Sequence, residues 1–332
     1  MLKKLTLILA TLALAATSAA LTGRAGAAPA GPKKTFTIGI SHYALVIPFY
    51  RSMQAGFAAG AKKYGMKIVT TDSGFDPNKQ VANIESLITR HVDAIVASPG
   101  DANALIPAYK EAVKASIPII SIANHLAPSG KKYETSFYGR PWDEVSAVRT
   151  ERLVGYMHGK GDLLVIRGPS GIAFVQDDKA GLNRVLKRHP GVKVVFAQNS
   201  KDLSVAEGLR LAQAGLTAHP KIGGMWVEED DLVVGAARAL QARGLAGNVP
   251  VVTMDGDPKA FQLIKQGVVT LDMALPTYSW GIDQMRLLHN FLANHKPIPK
   301  YVPSQVIVAT KANVDSLIAQ CKKTPAQIWC GK

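Results

Sequence analysis

The chain has 332 residues, of which 47% are hydrophobic and 19% charged, a globular composition long enough for two domains. Its formal net charge is +15, but the lysines and arginines are scattered and form no basic run with interleaved aromatic residues, which argues against nucleic-acid binding. We interpret the excess of positive charge as general surface charge. The alternative interpretation is a basic face that contacts an acidic partner or a membrane surface.

Residues 1–30 have the composition of a secretory signal. Lys3 and Lys4 precede an apolar stretch at 5–16, and small residues follow up to a predicted cleavage site near Ala27 or Ala28. The apolar stretch is too short for a permanent membrane anchor, and no cysteine lies near the cleavage site to carry a lipid. The sequence therefore predicts a soluble protein that is exported.

The first folded unit is a strand at 36–41, a loop and a helix. The helix has one apolar face, with residues at steps of four, four, four and three: Phe49, Met53, Phe57, Ala61 and Tyr64. Gly56 and Gly60 are predicted to let this face lie close to a sheet. The loop between strand and helix is rich in aromatic and imidazole side chains.

The same unit then repeats along the chain. Strands are predicted at 67–71, 92–98 and 117–123, the rhythm breaks at 127–142, and a second array runs to 275. The predicted strands are continuous runs of Val, Ile and Ala, which indicates parallel sheets covered by helices on both faces. The sequence therefore predicts an α/β fold built from two arrays, in which ligands bind beside the carboxyl ends of the strands.

Several strings, in their order along the chain, resemble periplasmic sugar-binding proteins of the ribose-binding type. They span about residues 36–316: IPFYRSMQAGF, ANIESLITRHVDAIVASP, IPIISI, GLTAHP, LVVGAARALQARG, VVTMDG and NVDSL. The resemblance implies the type I periplasmic binding protein fold, with two Rossmann-like lobes and parallel sheets joined by a three-crossover hinge. The implied parts are a first lobe at 35–137 plus 276–302, a second lobe at 138–275 plus 303–320, and a tail at 321–332.

The resemblance also implies a function. A small polar solute would bind between the lobes, which close on it by hinge bending, and the loaded protein would deliver it to a membrane-embedded ABC permease. A monomer without a cofactor or metal is expected. Presentation of the ligand to a membrane receptor, as a sensor, is an alternative that stays open.

Some candidate site residues match the family pattern. Phe49 and Tyr50 match its paired aromatic residues, whose flat rings suit the C–H face of a sugar, although Phe49 also begins the buried face of the helix. Ser41 and Ser98 end two strands at positions where the family has small polar residues, and either could instead cap a turn. His42 lies in the same candidate cleft loop as Ser41.

Other positions depart from the pattern. Asn124 and His125 follow the strand after which the family has an aspartate. Glu229 stands at the family's asparagine position, and Gln176 at the position of an arginine.

Asp255 keeps the family's strand-ending Asp-Gly and would accept hydrogen bonds from two hydroxyl groups. With Glu229 it forms an apparent carboxylate pair that lacks the family's arginine, and Arg140 could supply the missing charge. A neutral sugar or polyol is the favoured ligand, and a nitrogen-containing or cationic solute is the alternative.

The two cysteines, Cys321 and Cys330, lie close together near the end of the chain. In an oxidising compartment they predict one disulfide that closes a small loop, and two unpaired thiols are the alternative. A metal site is poorly supported, because no histidine lies near to complete the ligands.

No enzyme motif is present. The sequence has no GxSxG, HExxH or P-loop, and the run at 168–171 is not a dinucleotide fingerprint. A carboxylate pair for glycoside chemistry could be argued from Glu229 and Asp255, but the resemblance does not support it.

A gene regulator is excluded because the export signal occupies the place of a DNA-binding segment. We therefore expect a binding protein that is not an enzyme.

Overall fold

The computed structural model describes residues 34–170, 172–324 and 327–330, so the predicted signal at 1–30 lies outside the described residues. Strands and helices alternate, as predicted. The strands are β1 (Thr37–His42), β2 (Lys67–Asp72), β3 (Ala94–Ala97), β4 (Ile119–Ile122), β5 (Ser136–Gly139), β6 (Gly161–Arg167), β7 (Val192–Asn199), β8 (Gly224–Val227), β9 (Val251–Asp255), β10 (Leu271–Ala274), β11 (Tyr301–Pro303) and β12 (Ile307–Ala309). The helices are α1 (Pro48–Tyr64), α2 (Pro77–Thr89), α3 (Ile106–Lys114), α4 (Trp142–Tyr156), α5 (Ala173–Leu186), α6 (Val205–Ala218), α7 (Asp230–Ala242), α8 (Pro258–Lys265), α9 (Thr277–Asn294) and α10 (Val314–Ala319).

The strands form two six-stranded sheets, which confirms the predicted fold class. The first has the order β11-β5-β4-β3-β1-β2, and its strands are all parallel. The second has the order β12-β10-β9-β8-β6-β7, in which only the β12–β10 pair is antiparallel. Central strands such as β3 are buried along their whole length, as strands covered by helices on both faces must be.

The chain passes between the two sheets three times. It leaves the first sheet after β5, returns after β10 to form α9, and leaves again between β11 and β12. Helix α9 packs on α1 and therefore belongs with the first sheet. The lobe limits given from the sequence remain a prediction.

Helix α1 buries the predicted apolar face, including Met53 and Phe57. The prediction that its glycines face a sheet is wrong, because α9 covers them instead. A Cβ on Gly56 would lie 2.0 Å from the carbonyl oxygen of Tyr278, and one on Gly281 would lie 2.4 Å from that of Met53. The two helices cross in backbone contact that only glycine permits.

The tail closes with the predicted disulfide between Cys321 and Cys330, which confirms the pairing. Trp329 beside it is buried and donates its Nε1 hydrogen to the carbonyl oxygen of Leu317 at 3.0 Å. Across the described part of the chain, no helix is long and apolar enough to cross a bilayer.

Candidate functional site

A cavity of about 530 Å³ lies where the carboxyl ends of the two sheets face each other. Its first wall comes from the loops after β1, β2 and β4. Its second wall comes from the start of α4, the loops after β6, β7 and β8 and the end of β9. Fourteen of the twenty-one wall residues are apolar or aromatic. The cavity is therefore a ligand-sized cleft at the place where open α/β sheets bind ligands.

Two rings at the start of α1 form part of the first wall. Phe49 and Tyr50 meet edge to face with ring centroids 5.1 Å apart, and both are buried. The Phe49 ring also packs edge to face on Trp280 of α9, with ring centroids 5.9 Å apart. This contact helps to fix the orientation of the ring pair. Burial raises the pKa of Tyr50 to about 12, so its phenol stays neutral and keeps a proton to donate.

Two further aromatic residues belong to the second wall of the cavity. Trp142 and Phe174 come from the second lobe, with ring centroids 5.9 Å apart. Trp142 donates its Nε1 hydrogen to Asn124 Oδ1 at 2.8 Å, and Asn124 in turn donates to the Pro99 carbonyl oxygen at 2.9 Å. Asn124 thus orients the indole, a role that no short sequence pattern marks.

Tyr43 and Phe75 line the mouth of the cavity on the first lobe. Their rings meet edge to face at 5.6 Å, and the Tyr43 hydroxyl donates to the Phe75 carbonyl oxygen at 3.0 Å. The sequence signal that could have found Tyr43 and Phe75 is simple, since each follows the carboxyl end of a strand.

Two carboxylates stand on the wall formed by the second lobe. Glu229 caps α7 and accepts hydrogen bonds from the backbone nitrogens of Asp231 at 3.1 Å and Leu232 at 2.9 Å. Burial, the largest cause, raises its pKa to about 8. Glu229 therefore combines a structural role at a helix start with exposure to the cavity.

Asp255 ends β9 with a φ of 125°, a region that non-glycine residues rarely adopt. Burial, and next the charge of Glu229, raise the pKa of this carboxyl well above its usual range. The described residues supply no hydrogen-bond donor to its carboxylate. A ligand with hydroxyl or N–H groups would supply donors to this half-buried carboxylate.

A buried arginine holds the framework under these acids. Arg149 of α4 pairs with Asp178 of α5 and donates to the carbonyl oxygens of Val227 at 3.2 Å and Glu228 at 2.8 Å. Its guanidinium also lies over the Trp226 ring, 4.0 Å from the centroid. These contacts fix the end of β8 and hence the start of α7, and they join residues that are far apart along the chain.

Arg140, which we expected to balance the carboxylate pair, lies elsewhere. It donates to the Ser304 carbonyl oxygen at 3.4 Å and lines a separate cavity of about 150 Å³ with His125. The cation on the wall of the larger cavity, among the residues described, is Lys201. No group of three or more His, Cys, Asp or Glu side chains within the described ranges is arranged to hold a metal ion.

The eleven predicted site residues divide by position. Five lie on the wall of the larger cavity: Phe49, Tyr50, Asn124, Glu229 and Asp255. Six do not: Ser41, His42, Ser98, His125, Arg140 and Gln176. The binding role of all eleven remains a prediction.

The six residues off the wall have other surroundings. Ser41 and Ser98 are buried at strand ends, and burial lowers the pKa of His42 to about 4, so that its ring is neutral and pairs with Gln54 at 2.9 Å. Gln176 is exposed and donates to the Ser170 carbonyl oxygen at 2.7 Å.

Comparisons with known proteins agree with this geometry. Residues 38–296 match the model of the family described as periplasmic binding protein domain. The chain is 29% identical over 248 residues to Ribose import binding protein RbsB of Bacillus subtilis, covering 74% of this chain and 77% of that protein. It is also 29% identical over 310 residues to Ribose import binding protein RbsB of Salmonella typhimurium, covering 90% of this chain and 96% of that protein.

A solved structure has the same fold. The periplasmic ribose ABC transporter structure from Conexibacter woesei superposes with a TM-score of 0.79, at 24% identity, over 88% of this chain and 98% of that one.

Proposed function

This chain belongs to the periplasmic binding protein domain family, and from that premise we propose that it captures a sugar or polyol between its two lobes and delivers it to a membrane-embedded ABC permease. The relatives named above are ribose import binding proteins, which supports a sugar as the solute. The protein works in the periplasm after removal of its signal, as a monomer, and releases the solute chemically unchanged.

One observation carries the proposal: a ring pair and a carboxylate without a donor among the described residues line the same cavity. Phe49 and Tyr50 offer apolar ring surface, and Asp255 offers acceptor oxygens that have no donor within the described ranges of the chain. A sugar has both complementary features, a C–H face and adjacent hydroxyl donors. Rings give contact area at low entropy cost, and charge-assisted hydrogen bonds are about twice as strong as neutral ones.

The carboxylates act as hydrogen-bond acceptors in this proposal. A sugar hydroxyl that donates to Asp255 replaces the water lost on burial, so the carboxylate becomes ionised at a lower pH once the sugar is bound. The charge of Arg149 acts on Asp255 and offsets part of the negative potential that would otherwise select a cation, and Lys201 stands on the wall of the same cavity.

The test is a thermal-shift panel on the mature protein. It compares pentoses, hexoses and polyols with amino acids, amines and nucleosides. A ligand at 100 times its Kd stabilises the folded state by about 2.7 kcal/mol, which raises the melting temperature by several degrees. A shift with a sugar or polyol supports the proposal, and shifts restricted to amines or nucleosides contradict it.

A further inference from the structure

The turn that carries Asp255 is held in an unusual backbone conformation. Asp255 has a φ of 125° and Gly256 a φ of 86°, so two consecutive residues lie at positive φ. An aspartate keeps such a conformation only where its surroundings hold it. Whatever packs against this turn therefore decides where the Asp255 carboxylate points.

Trp329, from the C-terminal tail, packs against the turn. A Cβ on Gly256 would lie 3.4 Å from Cε3 of the Trp329 ring and 2.9 Å from the Ala274 Cβ. The indole is itself fixed, because it stacks on Phe261 of α8 with ring centroids 5.9 Å apart and donates to the Leu317 carbonyl oxygen. The turn thus lies close to both β10 and a buried tryptophan.

The tail holds this tryptophan in place and also reaches the first lobe. The Cys321–Cys330 disulfide ties Trp329 back to the end of α10. Gln327 donates its Nε2 hydrogen to Ser279 Oγ at 2.7 Å, and Ser279 lies in the first turn of α9, which packs on α1. The same short segment therefore contacts the Asp255 turn of one lobe and a helix of the other.

We propose that the disulfide-closed tail is a positioning element of the binding site, in which Trp329 supports Gly256 so that Asp255 faces the cavity, and Gln327 links that support to α9. The inference rests on the proposed function in one respect, namely that Asp255 binds the solute. The support of the turn is a property of the sugar-free protein and can be measured without any ligand.

The first experiment is hydrogen–deuterium exchange on the sugar-free protein, with Trp329→Ala, Trp329→Phe and the matched control Tyr156→Ala. Tyr156 is an exposed aromatic residue at the end of α4. In Trp329→Ala we expect peptides covering 254–258 to exchange about tenfold faster or more, while peptides of β6 keep their rate. Trp329→Phe should restore slow exchange, because it keeps the ring contact with Phe261.

An unchanged rate at 254–258 in Trp329→Ala overturns the proposal. An equal acceleration throughout the second lobe also overturns it, because the tail would then contribute only general stability.

The second experiment titrates D-ribose into the same proteins by calorimetry. Trp329→Ala should raise the Kd about tenfold at unchanged stoichiometry, and Trp329→Phe should stay within about threefold of the wild type. A Kd that is unchanged in Trp329→Ala contradicts the positioning role. If D-ribose does not bind the wild type, the sugar assignment fails for that probe, and the exchange result alone decides the role of the tail.

Reduction of the disulfide provides a version of the test without substitution. Mild reductant should accelerate exchange at 254–258 in the wild type and leave the double variant Cys321→Ser and Cys330→Ser unaffected. Gln327→Ala should accelerate exchange in the first turn of α9 as well. A wild-type protein whose exchange at 254–258 does not respond to verified reduction rules out a contribution of the disulfide to this support.

Discussion

At the residue scale, the proposed recognition depends most on Asp255. Replacement by asparagine keeps the shape and tolerates positive φ, but it removes the charge that strengthens a hydrogen bond from a sugar hydroxyl. We expect Asp255→Asn to raise the Kd of the best sugar in the panel roughly 10–100-fold, measured by calorimetry. Asp202→Asn, at an exposed position on the same wall, is the matched control and should change the Kd less than about threefold. Equal effects of the two substitutions would contradict the role of Asp255.

The buried acids also predict how stability depends on pH. Glu229 has a pKa of about 8 in the folded protein against an ordinary 4.5, and burial raises the pKa of Asp272 to about 7. The folded state therefore holds protons that the unfolded state has released, so the free energy of unfolding falls as pH rises through this range. His42, with its pKa lowered to about 4, acts in the opposite direction but only below about pH 6.5.

Between pH 6.5 and 8 the raised carboxyls therefore dominate, and we expect the sugar-free protein to lose stability. One group contributes at most about 1.4 kcal/mol per pH unit. Urea unfolding at both pH values should show a smaller loss for Glu229→Gln than for the wild type, while Glu85→Gln on the exposed side of α2 should behave as the wild type. A pH dependence that Glu229→Gln leaves unchanged would refute this assignment.

The sequence predicts which strand ends approach the site better than it predicts which side chains face it. Adjacent residues at a strand end point to opposite sides of the sheet. From the sequence, Ser41 and Ser98 were therefore as good candidates as Asp255, yet both are buried away from the cavity wall. Arg149 could not be predicted because its partners, Asp178 and the β8 carbonyl groups, are distant in sequence. The wall position of Tyr43, by contrast, follows from its place after β1.

At the element scale, the close crossing of α1 and α9 is a strong constraint. A methyl group on Gly56 would overlap the Tyr278 carbonyl oxygen, so one helix must shift. We expect Gly56→Ala to lower the free energy of unfolding by about 1–3 kcal/mol, measured by denaturant titration.

The matched control for the crossing is Gly155→Ala in α4. A Cβ there would meet nothing within 4 Å, and alanine favours helix by up to about 1 kcal/mol. If Gly56→Ala lowers the free energy of unfolding and Gly155→Ala raises it, the loss at Gly56 comes from close packing and not from helix propensity. A stabilising Gly56→Ala would show that the helices are not in backbone contact.

Long Val and Ile runs made the central strands predictable, since burial on both faces leaves a continuous apolar pattern. The short strand β11, of three residues with an exposed tyrosine at its start, has no such pattern. Its pairing with β5 depends on the return of the chain after α9, which local sequence does not encode. The same is true of the α1–α9 contact, where the glycines indicated a close approach but not its partner.

At the scale of the whole molecule, the cavity is built from two halves that separate loops of each lobe supply. The sequence predicts both arrays from the break at 127–142, where the composition changes, and the resemblance to ribose-type binding proteins implies the hinge between them. It does not predict which side chains of the two lobes line the same cavity, such as Phe49 and Tyr50 from one lobe and Asp255 from the other. That match arises only when the lobes are folded and facing.

The most direct test of sugar capture between the lobes is small-angle X-ray scattering, with the mature protein titrated with the sugar that gives the largest thermal shift. We predict that the radius of gyration decreases as the sugar is added and saturates at one sugar per chain, with the midpoint given by the calorimetric Kd, because the lobes close on the bound solute. Sugar binding with no change in the radius of gyration, or saturation at more than one sugar per chain, would contradict the account.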